Sequence, residues 1–169
     1  MSKAFTREDD AAEEPILRAQ ISALPPGVKN YLTADGAEKL QKELDELVQD
    51  MRPRASGLTE PEESKRQLLV IDQRIAQISQ SLQSAEIVLP PANSEGVVRF
   101  GATVTVRNRA GEKLEYRVVG SDETDLDRGW VSWRSPIARA LINARMGQRV
   151  RFRFPAGEDD LEIIRVTYL

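Results

Sequence analysis

The chain has no cysteine and no histidine. Disulfides, thiolate metal sites, cysteine nucleophiles and Ser-His-Asp chemistry are therefore excluded, and any metal would have to be a hard cation held by carboxylate oxygens. Aromatic residues are few: two Trp, three Tyr and four Phe in 169 residues. Positive charge is not in excess either. A formal net charge of −3 argues against a protein that wraps duplex DNA unaided, because such binding rests on neutralising many phosphates. No apolar run approaches the roughly 18 residues needed to cross a bilayer, and the polar start lacks a signal-peptide core. A cytoplasmic protein without a membrane partner is expected.

What the chain does have is two helical patterns, 33–54 and 60–86, separated by the short break 55–59. Leu40, Leu44, Leu47 and Met51 recur at four-, three- and four-residue steps, as do Ile71, Ile75, Ile78 and Leu82, so each segment presents one narrow apolar seam. Seams joined by so short a turn close on each other as an antiparallel coiled-coil hairpin. At 1.5 Å per residue its arms carry the turn about 30 Å from their base. Before the hairpin, residues 1–28 mix charge with alanine and end in Leu24-Pro25-Pro26-Gly27, which reads as a disordered arm with a short helix at 15–21. After it, Leu89-Pro90-Pro91 stops the second arm and opens a linker over 90–96, which leaves the orientation of the two halves adjustable.

From Gly96 the period changes to two. Val104 and Val106, then Leu114, Tyr116 and Val118, then Val150, Phe152 and Phe154, then Ile164, Val166 and Tyr168 alternate with polar neighbours, as half-buried antiparallel strands do. Turns are expected at Asn108-Arg109-Ala110-Gly111 and at Pro155-Ala156-Gly157-Glu158-Asp159. One helix interrupts the strands, with Ser135 as its cap, Pro136 at its first position, Ile137 and Leu141 on its apolar face and Gly147 at its end. The fold class is α+β: a hairpin over 29–89 and a small β domain with one helix over 97–169.

Several stretches resemble one family. Asn30-Tyr31-Leu32-Thr33-Ala34-Asp35-Gly36-Ala37-Glu38-Lys39-Leu40, Arg52-Pro53, Phe100-Gly101-Ala102-Thr103-Val104-Thr105-Val106, Val118-Val119-Gly120-Ser121-Asp122-Glu123 and Ser135-Pro136-Ile137-Ala138-Arg139-Ala140-Leu141 are similar to the bacterial GreA/GreB transcript-cleavage factors. The run from Leu24 to Tyr31 is closer to the GreB side. The resemblance implies that the C-terminal domain is FKBP-like and docks on the rim of the secondary channel of bacterial RNA polymerase. It implies that the hairpin enters that channel, where two acidic tip residues, in a motif Gly-Asp-x-Ser-Glu-Asn, help hold a catalytic Mg²⁺ of the polymerase near the nascent RNA 3′ end. On that reading the chain is a monomer, is not an enzyme, has no cofactor of its own and no catalytic residues, and acts on the polymerase active site.

The sequence departs from the family at the tip. Between the Gly36–Leu40 and Ala85–Val88 landmarks it is shorter by roughly a dozen residues, which shared between two arms removes on the order of 9 Å of reach. The break reads Ser56-Gly57-Leu58-Thr59-Glu60-Pro61-Glu62-Glu63, with no aspartate. Two readings of Glu60, Glu62 and Glu63 stand side by side. In one, Thr59 and Glu62 form a capping box and the acids complement the helix dipole; in the other, the three carboxylates approach the polymerase metal. Arg52, Arg54, Lys65 and Arg66 are candidates for contact with RNA or the channel wall, or simply a solvated surface. Arg149, Arg151 and Arg153 read as exterior alternation or as a phosphate site. Ser135, Pro136, Ile137, Ala138, Arg139 and Trp133 are the candidate polymerase-docking residues, although Arg134 stands where relatives commonly carry Asp or Asn. Transcription regulation without efficient cleavage stimulation is the leading expectation; true cleavage stimulation through the three glutamates, a prolyl isomerase and a generic coiled-coil adaptor are the alternatives.

Overall fold

The computed structural model describes residues 24–169, so the expected arm over 1–28, including the short helix at 15–21, lies almost wholly outside the described residues. Strand β1 (Asn30–Leu32) enters helix α1 (Ala34–Glu46), a π-helical turn (Leu47–Met51) and helix α2 (Arg52–Ser56); helix α3 (Pro61–Ser84) returns and runs into β2 (Ala85–Ile87). β1 and β2 pair in parallel, Asn30 with Ala85 through Leu32 with Ile87. The two arms are thus joined at their base as well as at their tip. Between them Leu32, Leu40, Leu47, Ala55, Ile71 and Ile78 are buried, with Leu44, Leu68, Ile75 and Leu82 packed against them. Burying a Leu or Ile contributes about 1.5–3 kcal/mol, so this seam is enough to hold two long helices together.

Met51 is the exception to the expected seam: it is 43% exposed, and Ala55, 2% exposed, takes the place beyond Leu47. The π turn accounts for the change. Arg52 N–H bonds to Leu47 O, five residues back, so the turn holds extra backbone and the inward face advances by eight residues instead of four. Pro53 supplies the local reason, since within a regular helix its ring collides with the carbonyl four residues earlier and it has no N–H to donate. Two cross-arm ion pairs flank the seam. Arg74 binds Glu43 through both Nε and Nη2, at 2.6 and 2.9 Å, and Arg52 Nε meets Asp72 at 2.7 Å.

The C-terminal half contains β3 (Thr103–Arg107), β4 (Lys113–Val119), β5 (Trp130–Ser132), helix α4 (Pro136–Leu141), β6 (Arg149–Phe154) and β7 (Gly157–Thr167). Their order in the sheet is β5-β4-β3-β7-β6, antiparallel except for β4 with β5. Val104, Val106, Val118, Leu161 and Ile163 from the sheet pack with Ala138 and Leu141 from α4. The expected Asn108–Gly111 turn is present: Gly111 N–H bonds to Asn108 O at 3.0 Å, with Gly111 at φ 83°. The other turn is tighter than expected, because Gly157 already pairs with Phe154 and Glu158 with Arg153.

Along β7 the inward residues are Leu161 and Ile163, then Val166 and Tyr168, so Ile164 does not continue the expected alternation. A register shift against β3, from Thr105 opposite Arg165 to Val106 opposite Ile163, places Ile164 as the extra residue of a bulge. Helix α4 also ends earlier than expected. Ile142 turns extended at ψ 136° and Asn143 takes φ 70°, so Leu141, not Gly147, marks its end.

The two halves are locked together, despite the linker that the sequence suggests is adjustable. Thr33 caps α1, its Oγ1 accepting from Gly36 N–H at 3.0 Å. Glu123 of the C-terminal half accepts from Thr33 N–H and Gly120 N–H, each at 2.9 Å, and from the Thr33 hydroxyl. Arg117, buried on β4, makes two 2.9 Å bonds to Asp35 in the first turn of α1. Asn30 Nδ2 donates to Ser81 O at 3.1 Å and reaches Asp122 at 3.4 Å, while the Ser81 hydroxyl also meets Asp122. Two glycines permit the approach. A Cβ at Gly36 would overlap the Glu123 carboxylate, and one at Gly120 would overlap the Tyr31 carbonyl oxygen.

Two outcomes test this joint. Gly36→Ala gains about 1 kcal/mol of helix propensity yet is expected to lose about 1–3 kcal/mol overall in urea denaturation through overpacking; a more stable variant contradicts the contact. The Arg117 guanidinium, donating to Asp35, holds that carboxyl at about 2, below its ordinary 3.8. A depressed carboxylate stabilises the fold fully above its ordinary value and loses that contribution as the pH falls toward the folded one. The melting temperature of the native chain should accordingly drop more between pH 4 and pH 2 than that of Asp35→Asn, which should already be less stable at pH 7 by about 1–2 kcal/mol, a figure kept small because Asp35 is half in solvent. Parallel pH profiles in the two proteins would rule the linkage out.

Candidate functional site

At the far end of the hairpin, α2 closes with Gly57 N–H bonded to Pro53 O and Arg54 O, at 3.1 and 3.2 Å. Chain direction reverses over Gly57 to Glu60, with Leu58 partly exposed. The expected Thr59–Glu62 capping box does not form. Pro61 occupies the first position of α3 and sets its start one residue later, with Glu60 as N-cap making no side-chain cap bond. A different bond secures the turn: the Ser64 hydroxyl donates to Ala55 O across the arms at 2.8 Å. Glu62 and Glu63 still lie in the first turn of α3, where negative charge is favoured by the helix dipole.

The tip carboxylates diverge along the helix surface. Glu62 pairs with Lys65 at 3.3 Å, and Glu63 with Arg66 at 3.6 Å and with Gln67 Nε2 at 2.8 Å. Glu60 is exposed on the turn itself. Among the described residues no three acidic side chains are grouped as a metal site. The four basic candidates are all exposed and all ion-paired, since Arg52 also meets Asp72 and Arg54 meets Asp50 at 2.9 Å. Such surface pairs are worth about 0–1 kcal/mol each and can exchange partners readily. What they establish is an apex whose four basic groups are each matched by an acid, with Glu60 left over as one further negative charge.

The second candidate segment is the start of α4 in the β half. Ser135 Oγ accepts from Ala138 N–H at 3.2 Å, and Pro136 fills the first position of α4. Ala138 is fully buried and Ile137 packs on the core, while Pro136 and Arg139 are exposed. A partner meeting this segment would therefore touch Pro136 and Arg139 first. Trp133 is engaged internally: its ring meets Tyr31 edge-on at 5.0 Å, Tyr31 meets Phe100 at 5.8 Å, and the buried Trp133 Nε1 has no hydrogen-bond partner among the described residues. It belongs to the joint between the halves, where it helps seat β1. Trp130 has cations over its ring, with Lys39 Nζ at 4.5 Å, Arg117 at 5.0 Å and Arg128 at 5.4 Å from its centroid. Of the arginine stripe on β6, Arg151 pairs with Asp160 and Arg153 with Glu158, each at 3.1 Å, so cross-strand pairing occupies two of its three members.

Asp35, Arg117 and Glu123 are not foreseen from the sequence. Their only local signals are an acid in the first turn after Thr33 and an arginine within an apolar strand, and neither names a partner more than 80 residues away.

Comparison with known proteins places this architecture. Residues 93–168 match the family described as "Transcription elongation factor, GreA/GreB, C-term". The chain is similar to transcription elongation factor GreA of Alkalilimnicola ehrlichii, 40% identical over 152 residues, covering 81% of this chain and 96% of the relative. It is similar to GreB of Xanthomonas axonopodis pv. citri, 35% identical over 160 residues, covering 85% and 95%. Among solved structures, GreA factor homolog 1 of Thermus thermophilus is 21% identical, with 83% of this chain and 99% of the other covered at a TM-score of 0.40. In the GreA alignment, 81% of 169 residues is about 137, set against 152 aligned positions, so about 15 positions of that relative lack a counterpart here. For the GreB alignment, 85% is about 144 against 160 positions, a deficit of about 16. With near-complete coverage of both relatives and a hairpin-plus-sheet fold of its own, the chain belongs to the GreA/GreB family of transcription elongation factors.

Proposed function

We propose that this protein binds bacterial RNA polymerase through its C-terminal domain, directs its hairpin into the secondary channel, and modulates transcription without efficiently stimulating transcript cleavage. Family membership supports the polymerase as partner. The carrying observation for the regulatory sense is the apex itself: residues 56–63 contain no aspartate, and the glutamates there diverge, two of them paired with Lys65 and Arg66. A carboxylate has to come within about 2.0–2.6 Å of a divalent cation to ligate it. The deficit of about 15 aligned positions agrees with a shortened hairpin; shared between two arms, about 15 residues correspond to roughly 11 Å of lost reach, more than any side chain recovers by changing rotamer. On this reading the chain is not an enzyme and carries no metal of its own. It acts by occupying the channel and by competing with longer relatives. An apex whose basic groups are all matched by acids also favours passive obstruction over a tight grip on RNA, for which a basic surface would be wanted.

Cleavage of stalled, backtracked transcription complexes tests the regulatory sense. Addition of the protein should leave the cleavage rate within about twofold of the factor-free rate and should slow cleavage driven by a full-length relative. Stimulation of about tenfold or more, abolished when Glu60, Glu62 and Glu63 are all changed to Gln, would establish the cleavage-factor reading instead. Docking has its own check. Arg139→Glu on the exposed side of α4 should reduce retention on core polymerase about fivefold or more with an unchanged circular dichroism spectrum, and full retention would move the docking surface elsewhere.

A further inference from the structure

The outer face of the sheet, away from α4, carries a groove of about 290 Å³ that belongs neither to the tip nor to the α4 segment. Strand alternation creates it. Val104 and Val106 point to the core, so Thr103 and Thr105 point outward, and the pairing of the strands sets their neighbours beside them. One row runs Trp130, Arg117, Thr103 and Thr167 across four strands; the next runs Glu115, Thr105 and Arg165. All seven line the groove, and Arg128 closes it from the turn before β5.

Three guanidinium groups and three hydroxyls thus line one concavity, against one acidic side chain, Glu115, and the terminal residue Leu169. Their individual states are telling. Arg117 is 5% exposed and gives both terminal nitrogens to Asp35, and its buried Nε has no acceptor among the described residues. Arg165 is exposed and makes no ion pair among the described residues. Arg128 lies over the Trp130 ring and among the described residues makes a single ion pair, a 3.4 Å contact to Asp125 three residues earlier. The donors open to the groove are therefore Arg165, Arg128 and the threonine hydroxyls, and an oxygen-rich anion seated here would draw on them, with the Arg117 charge beneath.

We propose that this groove binds a phosphate-class oxyanion. Planar guanidinium forks match phosphate oxygens in pairs, and hydroxyls complete a tetrahedral set of donors. The volume suits phosphate, pyrophosphate or the phosphate end of a mononucleotide, and is too small to admit a duplex. Lys39, over the outer ring of Trp130, adds a further cation at the rim. The site uses residues distinct from the proposed docking segment and hairpin apex, so it stands or falls separately from the polymerase reading.

The indole N–H signal of Trp130, identified by its loss in Trp130→Phe, provides the probe in ¹⁵N-labelled full-length protein. Inorganic phosphate, pyrophosphate and a nucleoside 5′-monophosphate are titrated separately at ionic strength held constant with KCl. At least one should give a saturable shift of Trp130, and Arg165→Gln and Arg128→Gln, each at an exposed position and each checked for native circular dichroism, should weaken it about tenfold or more. Tighter binding of the nucleotide than of free phosphate identifies a nucleotide as the source of the phosphate group, and equal binding identifies free phosphate. A linear, unsaturable response to all three anions, or saturation unaffected by both substitutions, overturns the proposal.

Discussion

The first turn of α1 is completed by a carboxylate that belongs to the other half of the protein. Helix starts expose N–H groups that need acceptors, and here Thr33 supplies one acceptor while Glu123 satisfies the backbone and hydroxyl of Thr33 itself. Arg117 then fastens Asp35 one step further along. Helix capping and domain docking are consequently coupled at Thr33: the hairpin cannot pivot on its linker without depriving the cap residue of the Glu123 carboxylate and stranding a buried guanidinium. Cost asymmetry makes this an effective lock, because an exposed ion pair contributes little whereas a buried charge deprived of its partner is strongly destabilising.

The same joint explains the placement of the aromatic residues. With so few rings in the chain, Tyr31, Phe100 and Trp133 are gathered where β1 meets the β half, and Trp130 is stacked beneath Lys39 and Arg117. Rings supply large contact areas with few rotatable bonds, which suits a junction that has to hold direction over the length of a helix. The apex is built by the opposite logic, from small and charged residues, with Ser64 bonded to Ala55 and Arg52 to Asp72 across the arms.

Much of this was legible in the sequence, and the failures share a physical cause. Met51 apart, the two apolar seams, the Asn108–Gly111 turn and the Ser135–Pro136 helix start are local signals, each confined to a few residues, and each reads correctly. Met51 and Ile164 were misassigned because a π turn and a bulge insert one residue into a regular period, and every later position changes face. Pro53 hinted at the first; nothing local announced the second. Thr59 read as a cap because the capping pattern competes with Pro61, whose fixed φ decides where α3 begins. Least legible was the joint, since pairing Asp35 with Arg117 or Thr33 with Glu123 requires knowing which surfaces meet, which no window of sequence contains.

The parallel pairing of β1 with β2 has a consequence for how such a protein can change. Both strands of the hairpin enter and leave at one clasp, with Val88 N–H bonded back to Leu32 O, and the hydrogen bonds from Asn30, Thr33, Asp35 and Ser81 to the sheet domain lie at or just beyond it. Whole turns can therefore be gained or lost from the distal end in matched increments while the foundation stays untouched. Evolution, or an engineer, can treat the projection as a ruler of adjustable span mounted on a fixed base.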